Sequence, residues 1–350
     1  MSTLVARLDN LGDVLLAGPA VRAVAAGTGD VTLLVGPRGR AAADLLPGVG
    51  AVMQWCAPWI DPEPAPLSRE YADELMDGVR AAGIQAALIL TSFHQSPLPL
   101  ATLLRMAGVP WIGAVCDDYP GSLLDLRHRV AGDPPEAERM LSLATAAGYR
   151  LPPGDDGRLA VRGPLPAVTD LTGPPDYIVV HPGVSAPARG WPATRWAELV
   201  RDLSATGFPV VVTGSATERS LTCQVVGDTG ALDLGGRTDL RALASVIARA
   251  RAIVVANTGA AHLAAAVGTP VVSLFAPVVP AARWAPYRVP TVVLGDQHAS
   301  CAGTRARHCP VPGHPCLNNI STEAVIDGLH TLTTPFARGG RACVPDPAST

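Results

Sequence analysis

Short apolar runs of four or five residues alternate with longer stretches in which alanine and leucine recur at helical spacing, from one end of the chain to the other. The runs Thr3–Ala6, Val31–Val35 and Ala87–Leu90 read as strands of the first half. Tyr177–Val180, Val210–Thr213, Ala252–Val255, Val271–Leu274 and Thr291–Leu294 read as strands of the second. The second-half runs are apolar on both faces, as a strand must be when helices cover both sides of a parallel sheet. Helices are predicted at Leu15–Ala26, Arg69–Ala82, Pro135–Ala147, Ala193–Ala205, Leu240–Arg249 and Ala260–Val267. This alternation implies βαβ units with right-handed crossovers, an α/β fold with doubly wound parallel sheets. The segment "RGPLPAVTDLTGPPD", residues 162–176, has four prolines and no helical period. It reads as a linker, partly stiff, between domains at residues 1–165 and 166–335, with 336–350 a flexible tail.

Composition narrows the picture. A chain of 350 residues suggests two domains, and 48% apolar with 16% charged residues suits a globular protein. A net charge of −3 provides no basic field for nucleic acid. All 27 basic residues are arginine, which removes Schiff-base, P-loop and other lysine chemistry from consideration. No signal peptide is evident, and the apolar region Ala260–Ala282 is interrupted by Gly268, Pro270, Pro277 and Pro280, so no membrane span is expected. Peripheral membrane contact stays open. Seven cysteines, an odd number, point to a reducing compartment, and the expected location is the cytoplasm.

Candidate chemistry sits where strands run into helices. In "VVANTGAAHLAAAVG" a strand ends near Val255, Asn257 and Thr258 turn, and Gly259 opens a helix carrying His262. Thr258 is a plausible N-cap, and the free N–H groups of that first turn suit an anion; an ordinary capped loop explains the same spacing. "VVHPGVSAPARGWP" offers the Ser185 hydroxyl and Arg189, a pair suited to phosphate. "VVVTGSATERS" offers Thr213, Gly214 and, at the next helix start, Glu218, which could hold a ribose or merely favour the helix dipole. No GxGxxG follows a strand, which argues against a dinucleotide dehydrogenase. In "RLDNLGDVLL", Asp13 falls at a helix opening, where it reads either as a cap or as a general base, with Asp9 in reserve.

Together "RLDNLGDVLLAGPAVRAV", "HPGVSAPARGWPATRWAEL", "VVVTGSATER" and "NTGAAHLAAAVGTPVVSLFAP" resemble glycosyltransferase family 9, the ADP-heptose heptosyltransferases, in order and spacing over roughly residues 3 to 330. The resemblance implies a GT-B fold, with two Rossmann-like domains facing across a cleft. It implies inverting, metal-independent transfer from a nucleotide sugar, usually ADP-heptose, to a glycan, lipid-linked or small-molecule acceptor, with no cofactor. The acceptor would bind the first domain, where Asn10, Gly12 and His94 are candidates, and the donor the second. Asp13 takes the family's catalytic carboxylate. Ser185 falls in the phosphate loop, Glu218 on the ribose glutamate, and Thr258, Gly259 and His262 in the pyrophosphate and sugar motif. Thr213 and Gly214 join the donor side, and Thr238, in "LGGRTDL", would border adenine through backbone atoms. Arg189 stands where the family has lysine, and Asn257 where it commonly has aspartate. The competing readings are a nucleotide-sugar epimerase or hydrolase and a binding protein without catalysis.

"CAGTRARHCPVPGHPC" gathers Cys301, His308, Cys309, His314 and Cys316 without a C-x₂-C pair. Buried structural thiols are expected there, and no metal site.

Overall fold

A computed structural model describes residues 2–333, so the predicted tail at 336–350 lies outside the described residues. The first sheet contains β1 (Thr3–Arg7), β2 (Val31–Val35), β3 (Val49–Gln54), β4 (Ala86–Ile89), β5 (Trp111–Val115) and β6 (Leu126–His128). The second contains β7 (Ile178–His181), β8 (Val210–Val212), β9 (Leu232–Asp233), β10 (Ala252–Ala256), β11 (Val271–Leu274) and β12 (Thr291–Leu294). Every pairing within them is parallel. The spatial orders are β3-β2-β1-β4-β5-β6 and β12-β11-β10-β7-β8-β9, the same Rossmann order twice. The architecture is GT-B: two Rossmann-like parallel-sheet domains.

All eight predicted strands form, within a residue or two at each end. Four more were not legible. β3 is largely exposed, β6 is half-buried, and β9 is two residues long, so none needs an unbroken apolar run. In β5, Gly113 interrupts the run because the Trp111 ring occupies the space a side chain would take, 2.7 Å from an added Cβ. The helix expected at Leu15–Ala26 is two helices, Leu11–Leu16 and Gly18–Thr28. Pro19 lacks an N–H, and its ring is compatible only with a first helical turn, so the chain restarts at Ala17. Helix Leu98–Met106 is not signalled in the sequence reading, and the helix expected to start at Glu218 forms as Arg219–Val226.

One apolar cluster runs continuously from Val5 and Leu33 through Leu159, Val168 and Tyr177 to Val179 and Ile253, so the two halves share buried surface. Each fully buried Val or Leu contributes about 1.5–3 kcal/mol of transfer free energy. The linker follows this seam. Arg162 N–H donates to the Leu45 carbonyl at 2.6 Å, and the Ser245 hydroxyl donates to the Pro166 carbonyl at 2.6 Å. Further along, Arg283 pairs with Asp133 and stacks 4.0 Å over Phe93, and Tyr287 donates to Glu138 at 3.0 Å. The cleft is held at a defined opening by contacts from both sides.

Candidate active site

A Rossmann sheet leaves a crevice at the carboxyl ends of the strands where its order reverses. Here those points are β1/β4 and β7/β10, and the loops following all four strands line one cavity of about 370 Å³. From the first domain come Asp9, Asn10, Gly12, Asp13, Ser92, His94 and Gln95; from the second come Ser185, Arg189, Asn257, Thr258, Gly259 and His262. All three acceptor-side candidates and six of the donor-side candidates therefore meet. Gly12, in the first turn of the Leu11–Leu16 helix, and Gly259, which opens the Gly259–Val267 helix, meet where the two domains touch. A Cβ on Gly12 would lie 2.7 Å from His262 Cδ2 and 3.2 Å from Gly259 Cα; one on Gly259 would lie 2.7 Å from Leu11 Cδ2. Glycine is needed at both positions to let the domains touch.

Asp13 does not cap its helix. The N-cap is Asn10, and Asp13 sits in the first turn with Oδ1 accepting from Arg7 Nη2 at 3.1 Å. Arg7, at the end of β1, is fully buried and is the hub of the site. Its Nε lies 3.0 Å from Asp9 Oδ2 and its Nη1 lies 3.5 Å from Glu136 Oε2, while Nη2 donates to Ser92 Oγ at 2.6 Å. Burial opposes the Arg7 charge, but Asp9, Asp13 and Glu136 outweigh it and hold the guanidinium firmly protonated. Glu136, also fully buried, is pushed up by burial and pulled back by Arg7 and Arg139. Burial likewise drives Asp9 up to about 6, against the pull of Arg7 and the hydrogen bond from Gln95.

Asp9 therefore gives a stability prediction. In the folded chain it keeps its proton up to about pH 6, against an ordinary value of 3.8, so between these values the folded state binds more protons than the unfolded. Its contribution to stability falls as pH rises through that window. Asp9→Asn should remove this slope, seen as a wild-type-minus-variant difference in urea midpoint that rises as pH falls through the window. Taking the difference cancels His262, whose lowered value acts in the opposite sense. An unchanged difference across the window would contradict the assignment.

On the second domain, Thr258 caps the Gly259–Val267 helix as predicted, its hydroxyl accepting from Ala260 N–H at 3.3 Å. The positive end of that helix lines the cavity. Burial lowers His262 to about 4, so its ring is neutral near pH 7 and offers hydrogen bonds rather than charge. Its Nδ1, like Asn257 Nδ2, is buried without a partner. Asn257 Oδ1 accepts from Ala276 N–H at 3.4 Å. Arg189 reaches the cavity from the Pro187–Arg189 turn, its Nη1 3.5 Å from the Asn257 carbonyl and its Nε unpartnered. Partial desolvation, then Arg305, lowers His94 to about 4.

Thr213, Gly214, Glu218 and Thr238 do not line the cavity. Thr213 is fully buried with its hydroxyl 2.9 Å from His181 Nδ1, and Gly214 is buried beneath Thr222. Glu218 closes a capping box, accepting from Ser215 N–H at 2.7 Å and Ser215 Oγ at 2.8 Å, and rests against Gly183 in the β7 loop. Residues the sequence reading missed are Arg7, Ser92, Gln95, Glu136, Arg305 and Arg307. Only Arg7 carried a signal: a charge ending the apolar run "TLVAR" of a buried parallel strand must be paired. Cys301 and Cys316 are buried in the second domain's core. Among the described residues, no group of three or more His, Cys, Asp or Glu is arranged to hold a metal ion.

Comparison with known proteins agrees with this geometry. The profile of Glycosyltransferase family 9 (heptosyltransferase) matches residues 95–314. The chain belongs to glycosyltransferase family 9. Its matched range contains every donor-side candidate; Arg7 and Asp13 precede it. Lipopolysaccharide heptosyltransferase 2 of Salmonella typhimurium is 30% identical over 157 residues, 42% of this chain and 43% of the relative. The alignments with curated relatives thus span less than half of those proteins' length. In fold, this family 9 chain is similar to a Veillonella parvula family 9 glycosyltransferase, with TM-score 0.74, 17% identity, and 95% and 97% of the two chains covered. It is also similar to the E. coli ADP-heptose lps heptosyltransferase II, with TM-score 0.73, 21% identity, and 95% and 98% covered. No helix among the described residues of this glycosyltransferase family member is long and apolar enough to cross a membrane.

Proposed function

We propose that this protein transfers a heptosyl group, with inversion and without a metal, from ADP-heptose to a hydroxyl of a glycan acceptor. The observation that carries the reading is that Asp13 and the Gly259 helix terminus, each from a different domain, line one cavity. The acceptor hydroxyl enters from the first domain, and Asp13 takes its proton as its oxygen bonds to the anomeric carbon. On the opposite face the bond from that carbon to the diphosphate oxygen breaks, and the electron pair leaves with ADP. The N–H groups of the Gly259–Val267 helix and the Arg189 guanidinium stabilise that charge. Ser185, exposed on the same wall, supplies a hydroxyl to phosphate, and Asn257 Nδ2 and neutral His262 supply hydrogen bonds to the sugar. Glu218, beside Gly183, is proposed for the ribose, and Thr238 for the adenine edge. The two relatives' names support the heptosyl donor.

The assay is release of ADP from ADP-heptose with and without a lipopolysaccharide-core acceptor. Release that requires acceptor supports transfer; release without it would replace transfer by hydrolysis. A second measurement isolates the donor site. Arg189→Ala should weaken ADP binding about ten- to a hundredfold, because a charge-assisted bond in a desolvated site contributes about 1.5–3 kcal/mol. Arg189→Lys should restore much of it. Calorimetry showing equal ADP affinity in wild type and Arg189→Ala would remove Arg189 from the phosphate site.

A further inference from the structure

Segment 301–316, the cysteine-rich stretch, does more than fill the core. Cys301 and Cys316 pack with Leu317, Val272 and Leu274 inside the second domain, and Ala306, Cys309 and Val311 lie against them. Four bonds fasten the segment above this base. Gly303 N–H donates to the Pro277 carbonyl at 2.9 Å, Arg305 N–H to the Val278 carbonyl at 2.8 Å, and Ala188 N–H to the Arg307 carbonyl at 2.9 Å. The His314 ring Nε2 lies 3.1 Å from the Ala188 carbonyl. The segment is thereby fixed to the same turn that presents Arg189.

What this fastening aims is Arg305 and Arg307, which both line the cavity. Arg305 has φ +57°, a left-handed backbone that side chains with a Cβ rarely adopt. Neither side chain makes a hydrogen bond or ion pair with any described residue, while most other arginines do. Beside Arg38, which pairs with Asp61, the cavity collects three guanidiniums without a carboxylate partner in hydrogen-bond range among the described residues: Arg189, Arg305 and Arg307. Burial lowers Arg189, Asp13 pulls it back, and Arg305 and Arg307 lower it further. Asp9 and Asp13 face Arg305 from the first domain and offset part of this cost. A wall of like-charged guanidiniums, two of them without a hydrogen-bond or ion-pair partner among the described residues, beside a helix N-terminus is complementary to a polyanion.

We propose that Arg305 and Arg307 join Arg189 in a three-guanidinium cradle for the diphosphate of the nucleotide sugar, making the cysteine-rich segment part of the leaving-group site. The proposal rests on the nucleotide-sugar reading above. The cradle acts as the bond from the anomeric carbon to oxygen breaks and its electron pair settles on the departing phosphate. Arginine forks then bind an anion more strongly charged than in the ground state. The cysteines and His314 hold the segment in place and do not meet the substrate.

The test is calorimetry on the full chain with ADP, AMP and inorganic pyrophosphate, for wild type, Arg305→Gln, Arg307→Gln and the double variant. Arg69→Gln, an 89% exposed arginine paired only with Asp73, controls for net charge. Each single variant should weaken ADP and pyrophosphate about tenfold and the double variant about a hundredfold, with a smaller loss for AMP and none for Arg69→Gln. ADP affinity held within about twofold in the double variant, in a wild type that binds ADP, would overturn the cradle. So would an unchanged ADP affinity with a raised KM for acceptor, which would move both arginines to the acceptor. If wild type binds pyrophosphate with the same arginine dependence but not ADP, the cradle stands and the adenine nucleotide reading falls. Binding of neither would overturn both.

Discussion

Asp13→Asn should leave the fold and ADP affinity in place and lower turnover about 10²–10⁴-fold, the usual contribution of one proton-transfer group. Asn preserves the shape of the side chain, and Arg7 keeps Asp9 and Glu136 as counter-charges, so the hub survives. What is lost is an acceptor for the proton of the attacking hydroxyl. A capping role would predict little change, since Asn caps as well as Asp, but the helix already has Asn10 at that position and Asp13 bonds Arg7 instead. Single-turnover kinetics with ADP-heptose, alongside ADP calorimetry, separate chemistry from binding. Near-normal turnover in Asp13→Asn together with an inactive Asp9→Asn would transfer the base to Asp9. Asp9 is the weaker candidate because Arg7 and Gln95 already engage it and only 9% of its side chain is exposed, against 18% for Asp13.

The second large effect concerns stability. Arg7→Met fills similar space but leaves Asp9, Asp13 and Glu136 around a vanished charge, with Arg139 and, more weakly, Arg283 still compensating Glu136. Breaking a buried ion pair by removing one partner costs about 3–5 kcal/mol, a large part of the 5–15 kcal/mol typical of a folded protein. The variant should show a urea midpoint far below wild type, and the deficit should narrow at acid pH as the orphaned carboxylates take up protons. Arg7→Lys should fall between, because an ammonium keeps the charge but cannot reach three acceptors with a planar fork. A loss below about 1 kcal/mol in Arg7→Met would show that water or neighbours compensate the carboxylates, and Arg7 would not be the hub.

The sequence by itself determined the fold class and two of the second-domain loops that line the cavity, and the reason is local. A strand buried on both faces must be an apolar run, as in β7, β10 and β11. A helix that begins hard against another segment needs a cap and a residue without a side chain, as at Thr258 and Gly259. Such constraints are written in neighbouring residues. Edge strands β3, β6 and β9 escaped because half-exposed backbone imposes no apolar run. The tertiary structure alone decided what each charge does. Asp13 looks the same in sequence whether it caps or pairs, and its partner Arg7 gathers Ser92 and Glu136 from distant elements. Glu218, legible in sequence as either a ribose ligand or a helix-start charge, closes a capping box, while Arg305 and Arg307, which no local pattern singled out, line the cavity. Burial and Coulomb partners come from contacts between segments far apart in the chain, and no local pattern encodes them.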